Sequence, residues 1–278
     1  MTDYSHSLQG KRDSNEDQHS IILNLNKNNK EMNDINFFGV YDGHGGKLVS
    51  KYLKENLPIY FVKKFKKNIF LNQEKFSEHV NNVYNLVQNN LKNNHPRAAN
   101  YCGSTACIII QCIDHKENES FLWIINVGDS RAVLLNEDGI AVPLSKDHKP
   151  NSPEERIRIK NLGGKIVFDG VDWRIKNLSL SRAFGDIECT PYVTHLPQIY
   201  CRKLSKGDKF LILACDGLWD VLSNQDAVDF ILDLENIEYK GNYAKALAEY
   251  ALDKGSMDNI TVIIYYFKLN NNINLDAN

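Results

Sequence analysis

A chain of 278 residues, 42% hydrophobic and 24% charged, is long enough for one large globular domain with a full core. A formal net charge of -2 leaves no general attraction for nucleic acid or an acidic membrane surface. No apolar run approaches the roughly 18 residues that would span a bilayer, and six cysteines without CxxC spacing fit a reducing compartment without disulfides.

The polar opening Met1-Thr2-Asp3-Tyr4-Ser5-His6 has no secretory apolar core. Thr2 breaks the myristoylation pattern, and Leu275-Asp276-Ala277-Asn278 is no prenylation box. The expected location is therefore cytoplasmic or nuclear, with no membrane insertion. Residues 19–25 read as a strand, followed by an Asn/Lys loop to about 34 and a second strand at 35–41. Two long helices are predicted over 47–68 and 74–93, where Leu53, Leu57, Tyr60 and Phe61, then Phe76, Val80, Val83, Leu86 and Val87, recur at three-to-four spacing. The lysines at 63, 64, 66 and 67 read as a solvated helix face, and a polar loop containing Pro96 follows.

Strands are predicted at 105–113, 121–127 and 131–136. Their connections are too short for crossover helices, so this sheet must be antiparallel. Ser152-Pro153-Glu154-Glu155 opens a short helix, with Ser152 as its cap, and Gly163-Gly164 ends it. After a strand near 165–168 the pattern is irregular to about 205. A dense apolar strand at 209–215, helices at 224–234 and 242–254, and a last strand at 260–267 complete the chain. The expected organisation is one domain over 1–267 and a flexible Asn-rich tail over 268–278. Long helices between blocks of antiparallel strands indicate a layered α+β fold and argue against a doubly wound parallel sheet.

The chemistry lies where apolar runs stop. Phe37-Phe38-Gly39-Val40-Tyr41 ends at Asp42-Gly43-His44-Gly45-Gly46. Residues 121–127 end at Gly128-Asp129-Ser130, residues 210–215 end at Asp216-Gly217, and Asp258 immediately precedes the strand at 260. Glu16-Asp17 precedes the first strand. If these ends converge, several carboxylates share one cleft and repel one another, which raises their pKa values. Bound divalent cations resolve that repulsion. A thiolate-free oxygen ligand set points to Mg²⁺ or Mn²⁺ rather than zinc. Two such ions suit phosphoryl hydrolysis by a water shared between them. An arginine is then expected for the phosphate oxygens, and Arg12 is the candidate.

Eight motifs in one order carry a resemblance to a known family. They are Gln9-Gly10-Lys11-Arg12 with Glu16-Asp17; Val40-Tyr41-Asp42-Gly43-His44-Gly45-Gly46; Gly103-Ser104-Thr105-Ala106; and Asn126-Val127-Gly128-Asp129-Ser130-Arg131-Ala132. There follow Asp147-His148-Lys149-Pro150 with Glu155-Arg156-Ile157 and Gly163-Gly164; Leu180-Ser181-Arg182-Ala183-Phe184-Gly185-Asp186; Ala214-Cys215-Asp216-Gly217-Leu218-Trp219-Asp220-Val221; and Gly255-Ser256-Met257-Asp258-Asn259-Ile260-Thr261. From about Tyr4 to Phe267 the sequence closely resembles the metal-dependent serine/threonine protein phosphatases of type 2C. The resemblance implies a four-layer α/β/β/α sandwich: a central antiparallel β-sandwich flanked by helices, with the metals at one end.

It also implies roles. Asp42 bridges two metals, Mg²⁺ or Mn²⁺, and Gly43 lends its carbonyl to one of them. Glu16 ligates that same metal, directly or through water, and Asp17 holds its waters. Asp216 and Asp258 ligate the other. Asp129 and Asp220, with Asp216, match a weaker third metal position. Arg12 grips the substrate phosphate. His44 is the general acid that protonates the leaving serine or threonine oxygen, a contribution worth roughly 10²–10⁴-fold. The implied partners are phosphoprotein substrates, and a monomer is expected. Arg182 and Asp186 read as fixing the flap-like stretch 165–205, His148 as fixing a loop, and Trp219 as core. A catalytically dead relative usually loses its metal carboxylates. All are present here, which favours an active enzyme over a scaffold. The chain begins close to its first motif, so no regulatory extension is expected before it. The stretch Asp169-Gly170-Val171-Asp172-Trp173-Arg174-Ile175 matches no family form and leaves substrate preference open.

Overall fold

The structure, a computed structural model, describes residues 3–25, 34–63, 69–114, 117 and 119–267. Two five-stranded antiparallel sheets form its centre. One runs in the order Gln198–Lys203, Glu119–Val127, Ala106–Asp114, Asp34–Tyr41, Gln18–Ile22. The other runs Asp3–Leu8, Ile260–Tyr266, Phe210–Ala214, Arg131–Leu135, Ala141–Pro143.

The period-two alternation of strand side chains decides what lies on each face. In the strand Asp34–Tyr41, Phe38 and Val40 enter the core between the sheets, where they meet Ile109, Leu211, Leu213 and Ile263. Phe37 and Tyr41 face the other way and pack beneath the helices Leu48–Lys63 and Gln73–Asn94. On the far side Ile212, Ala214, Val262 and Ile264 pack beneath Asn224–Asn236 and Tyr243–Asp253. The result is the expected α/β/β/α sandwich.

Several local expectations needed correction. The loop containing Pro96 is a short helix, Pro96–Tyr101, with proline in its first turn. Ser152 sits at the start of the helix Pro153–Asn161, but its side chain makes no capping hydrogen bond. Asp3–Leu8 and Gln198–Lys203 are strands at sheet edges. Residues 64–68 of the predicted first helix, the loop at 26–33 and the tail from 268 lie outside the described residues. The stretch that matched no family form folds into a hairpin, Val167–Phe168 against Trp173–Arg174.

A third, small sheet matters most for the site. Gly43–His44 pairs with Gly103–Ser104, which pairs with Phe184–Gly185. Three of the sequence motifs thus meet at the end of the sandwich.

Candidate metal centre

The strand parity that sends Phe38 and Val40 between the sheets carries Asp42 to the open end of the same interface. Its backbone is held there: the Asp42 amide donates to Thr105 Oγ1 at 3.1 Å, and the Thr105 amide donates to the Asp42 carbonyl at 2.9 Å. From the opposite sheet, Cys215 follows Leu211 and Leu213 on the inner face, and Asp216 begins a one-turn helix, Asp216–Trp219. Asn259 ties in the N-terminal loop. Its side-chain amide donates to the Gln9 and Ser14 carbonyls at 2.8 and 2.9 Å, and its Oδ1 accepts from the Glu16 amide at 2.9 Å. Gly43 must be glycine, because a Cβ would lie 2.5 Å from the Glu16 carbonyl oxygen.

Arg12, Glu16, Asp42, Gly43, His44, Asp129, Asp216 and Asp258 therefore line one cavity of about 450 Å³. Asp17 lies beneath them, 3% exposed, and neither of its carboxylate oxygens has a hydrogen-bond partner. Burial, reinforced by Asp258, pushes Asp17 up to about 6, with Thr261 and Cys215 opposing. Asp42 is pushed well above the ordinary range by burial, then by Asp216, Asp17, Asp129 and Asp258. Asp216 is pushed well up as well, by burial and then by Asp129. This is the repulsion expected of converging carboxylates. Asp17, with no hydrogen bond of normal geometry and only the nearby Thr261 and Cys215 side chains to ease its charge, and an otherwise oxygen-rich set of donors fit a divalent cation.

Two cations of the chain itself already reach the cluster. Arg12 Nη2 donates to Asp258 Oδ2 at 2.6 Å. The Lys149 ammonium contacts Asp129 and lies 3.7 Å from Asp216 Oδ2. Asp220 follows Asp216 by one turn, its amide donating to the Asp216 carbonyl at 2.8 Å, and lies within electrostatic reach of Lys149 and Asp129.

His44 Nε2 lies 2.8 Å from Asp186 Oδ2, and Asp186 is buried. Burial alone would depress the imidazole, but the hydrogen bond and charge of Asp186, with Asp129 and Glu16 behind them, push it up. The small sheet creates this pair. A Cβ at Gly103 would collide with both Asp186 Oδ2 and His44 Nε2. Asp186 itself sits at φ 46°, a left-handed conformation that aspartate tolerates better than most residues. Asp186, inside the flap-like stretch, ties that stretch to His44 through this contact and to Cys102 through its own amide, 3.1 Å from the Cys102 carbonyl. Arg182 also fixes the flap: its guanidinium donates to Glu155 Oε1 and to the Leu196 carbonyl. His148 fixes a loop, its Nδ1 accepting from the Gly128 amide at 3.2 Å. Trp219 is core, its indole N–H bonded to the Ala214 carbonyl at 2.9 Å.

The family profile described as Protein phosphatase 2C matches residues 2–260. The chain belongs to the protein phosphatase 2C family. Protein phosphatase 1L of Bos taurus is 36% identical over 275 residues, covering 95% of this chain and 71% of that protein. A probable protein phosphatase 2C, member 13, mitochondrial, of Oryza sativa subsp. japonica is 36% identical over 262 residues, covering 94% of this chain and 67% of that one. The fold matches a solved serine-threonine phosphatase 2C from Toxoplasma gondii with a TM-score of 0.82 at 24% identity, covering 96% of this chain and 94% of the other. As a member of the family this chain is a protein-serine/threonine phosphatase, a hydrolase whose family implies dependence on a divalent metal and phosphoprotein substrates. Among the described residues no helix is long and apolar enough to cross a membrane.

The sequence assigns no part to Lys149 or Asn259, presents Cys215 as a small buried hydrophobe, and does not pair Asp186 with His44. Lys149 and Asp186 stand inside two of the recognised motifs. The available signal was a lone cation, and a lone acid, close in space to an acid-rich and histidine-bearing rim. Only the long-range pairing of strand ends reveals it.

Proposed function

We propose that this phosphatase hydrolyses phosphoserine and phosphothreonine using two divalent ions, Mg²⁺ or Mn²⁺, held by Glu16, Asp17, Asp42, the Gly43 carbonyl, Asp216 and Asp258. The observation that carries the reading is Asp17: a buried carboxylate without a hydrogen bond, directly beneath the partly exposed Asp42. When bound, such ions supply an activated water and neutralise charge at phosphorus. Arg12 stands at the cavity wall with its guanidinium on Asp258; moving to a phosphate exchanges one charge-assisted hydrogen bond for another. Asp186 favours the protonated imidazole of His44, which delivers its proton to the leaving oxygen. Asp186 orients the ring for that transfer. A third ion at Asp129, Asp216 and Asp220 would have to displace the Lys149 ammonium, which makes that position the weakest. All proposed ligands come from one chain, so a monomer suffices, and the reading suits a cytoplasmic or nuclear phosphoprotein.

The test is hydrolysis of a phosphopeptide by metal-stripped protein, with and without added Mn²⁺. Activity should appear with Mn²⁺ and stop with EDTA. Activity that persists through chelation sinks the two-ion reading.

A further inference from the structure

Cys215 has been given no part in the reaction, yet its sulfur reaches the deepest corner of the acid cluster. Among the described residues, Asp17, Asp42 and Cys215 each bring one donor atom within 4.8 Å of the other two. A tetrahedral ion with ligands at about 2.0–2.3 Å separates its donors by roughly 3.3–3.8 Å, so shifts of about an ångström close the triangle. The sheet aims the sulfur. Cys215 is fully buried, and its amide donates to the Thr261 carbonyl at 3.2 Å. Its Sγ accepts from the Thr261 amide at 3.1 Å and donates to the Asn259 carbonyl at 3.3 Å. Independently, neither oxygen of the buried Asp17 has a hydrogen bond of normal geometry, and the Cys215 thiol lies close enough to favour its charged form. A thiol and an unanswered carboxylate therefore face one point, with Asp42 as the third side.

We propose that Asp17, Asp42 and Cys215 form a mixed oxygen–sulfur site that captures thiophilic divalent ions, Zn²⁺ or Cd²⁺, in competition with the oxygen-preferring ions of the phosphatase reaction. Carboxylates accept either class of ion; sulfur does not, and it supplies the selectivity. Capture exchanges a proton for the ion: the S–H bond breaks, the S–metal bond forms, and the proton leaves to solvent. The captured ion then takes Asp42 away from the hydrolytic ions, so Zn²⁺ and Cd²⁺ are inhibitors that excess Mn²⁺ relieves. Only this last consequence rests on the proposed function. The binding itself does not.

The experiment titrates the metal-stripped full chain with Cd²⁺ and reads the ultraviolet thiolate-to-cadmium charge-transfer band. The native chain should develop the band and saturate. Cys215→Ser, whose hydroxyl can keep both backbone partners, should lose it, while Cys201→Ser should retain it. Asp17→Asn should keep the band but need about ten-fold more Cd²⁺ or beyond. No band in the native chain, or one that survives Cys215→Ser, overturns the site. Should Cys215→Ser fail to fold, zinc-edge X-ray absorption on the native chain decides. A sulfur in the zinc shell that Asp17→Asn weakens upholds the site, and a shell without sulfur overturns it. A cadmium band in a chain that shows no Mn²⁺-dependent hydrolysis would uphold this site while removing the proposed function.

Discussion

Asp17 and Glu155 are equally buried carboxylates, each 3% exposed, and they have opposite fates. Asp17, at the open end of the sandwich, has no hydrogen bond of normal geometry and is pushed up to about 6, first by burial, which Thr261 and Cys215 nearby only partly offset. Glu155, under the flap, would also be raised by burial, but Arg182 and Arg158 outweigh that and bring it down to about 2. Its Oε1 accepts from Arg182 Nη2 at 2.6 Å and its Oε2 from Arg158 Nη2 at 2.8 Å. A buried charge that the chain answers itself fastens one element to another. A buried charge that the chain leaves unanswered costs stability, which is tolerable where a ligand completes it. The flap clasp is finished on folding; the acid cluster is not.

The sharpest way to break this contrast is Asp42→Asn. It should cut Mn²⁺-dependent hydrolysis by roughly 10³-fold or more, the worth of several kcal/mol of metal chemistry. Because it removes one of several repelling carboxylates, the metal-free variant should melt no lower than the native chain. A large drop in its metal-free melting temperature would mean that the cluster is structural like the clasp. Adding the completing ion comes next in size. Mn²⁺ at about 100 times its dissociation constant should stabilise the native chain by about 2.7 kcal/mol, a rise of roughly 5–10 °C. Asp42→Asn should lose most of that rise, while Glu155→Gln should keep it.

Asp186→Asn probes a buried acid that has one partner inside the cleft. It should lower turnover by about ten-fold or more, with the larger loss on substrates with poor leaving groups, since those need the proton most. Metal-induced stabilisation should be unchanged. Equal losses across leaving groups would return Asp186 to a purely structural part.

How much of this was legible depends on how local each signal is. The strand Asp34–Tyr41 and its acidic end could be read because alternation and termination lie within one segment. The order of such segments indicated a layered α+β fold, and the resemblance of the motifs supplied its four layers. The edge strand Asp3–Leu8 escaped because Tyr4, His6 and Leu8 alternate with polar residues too weakly to declare a buried face. Ile199 and Cys201 in Gln198–Lys203 failed in the same way. Within the site, the acids stood out at the ends of apolar runs. The partners of Asp186 and Lys149 did not, because a small sheet made from residues near 43, 103 and 184 sets one pairing and a loop crossing sets the other. Neither leaves a periodic trace in the sequence.

The smallest effect, a pH dependence of about 1 kcal/mol, isolates the finished side of the contrast. Glu155→Gln leaves two guanidinium groups without their carboxylate and should cost about 3–5 kcal/mol at neutral pH. That cost should depend on pH in one direction. The folded chain holds Glu155 near 2, whereas the ordinary value is 4.5. Between those values the unfolded chain binds more protons than the folded one, so the contribution of Glu155 is complete above the ordinary value and shrinks as pH falls toward 2. From about pH 5.5 to about pH 3.5 the stability gap between native and Glu155→Gln chains should narrow by about 1 kcal/mol, read by urea unfolding without metal. Other titrating groups are common to both chains and cancel in the difference. The acid cluster, in particular, contributes equally to each. A gap that stays flat across this range would show that Arg158 and Arg182 do not hold Glu155 ionised. The clasp would then be as unfinished as the cluster it is set against.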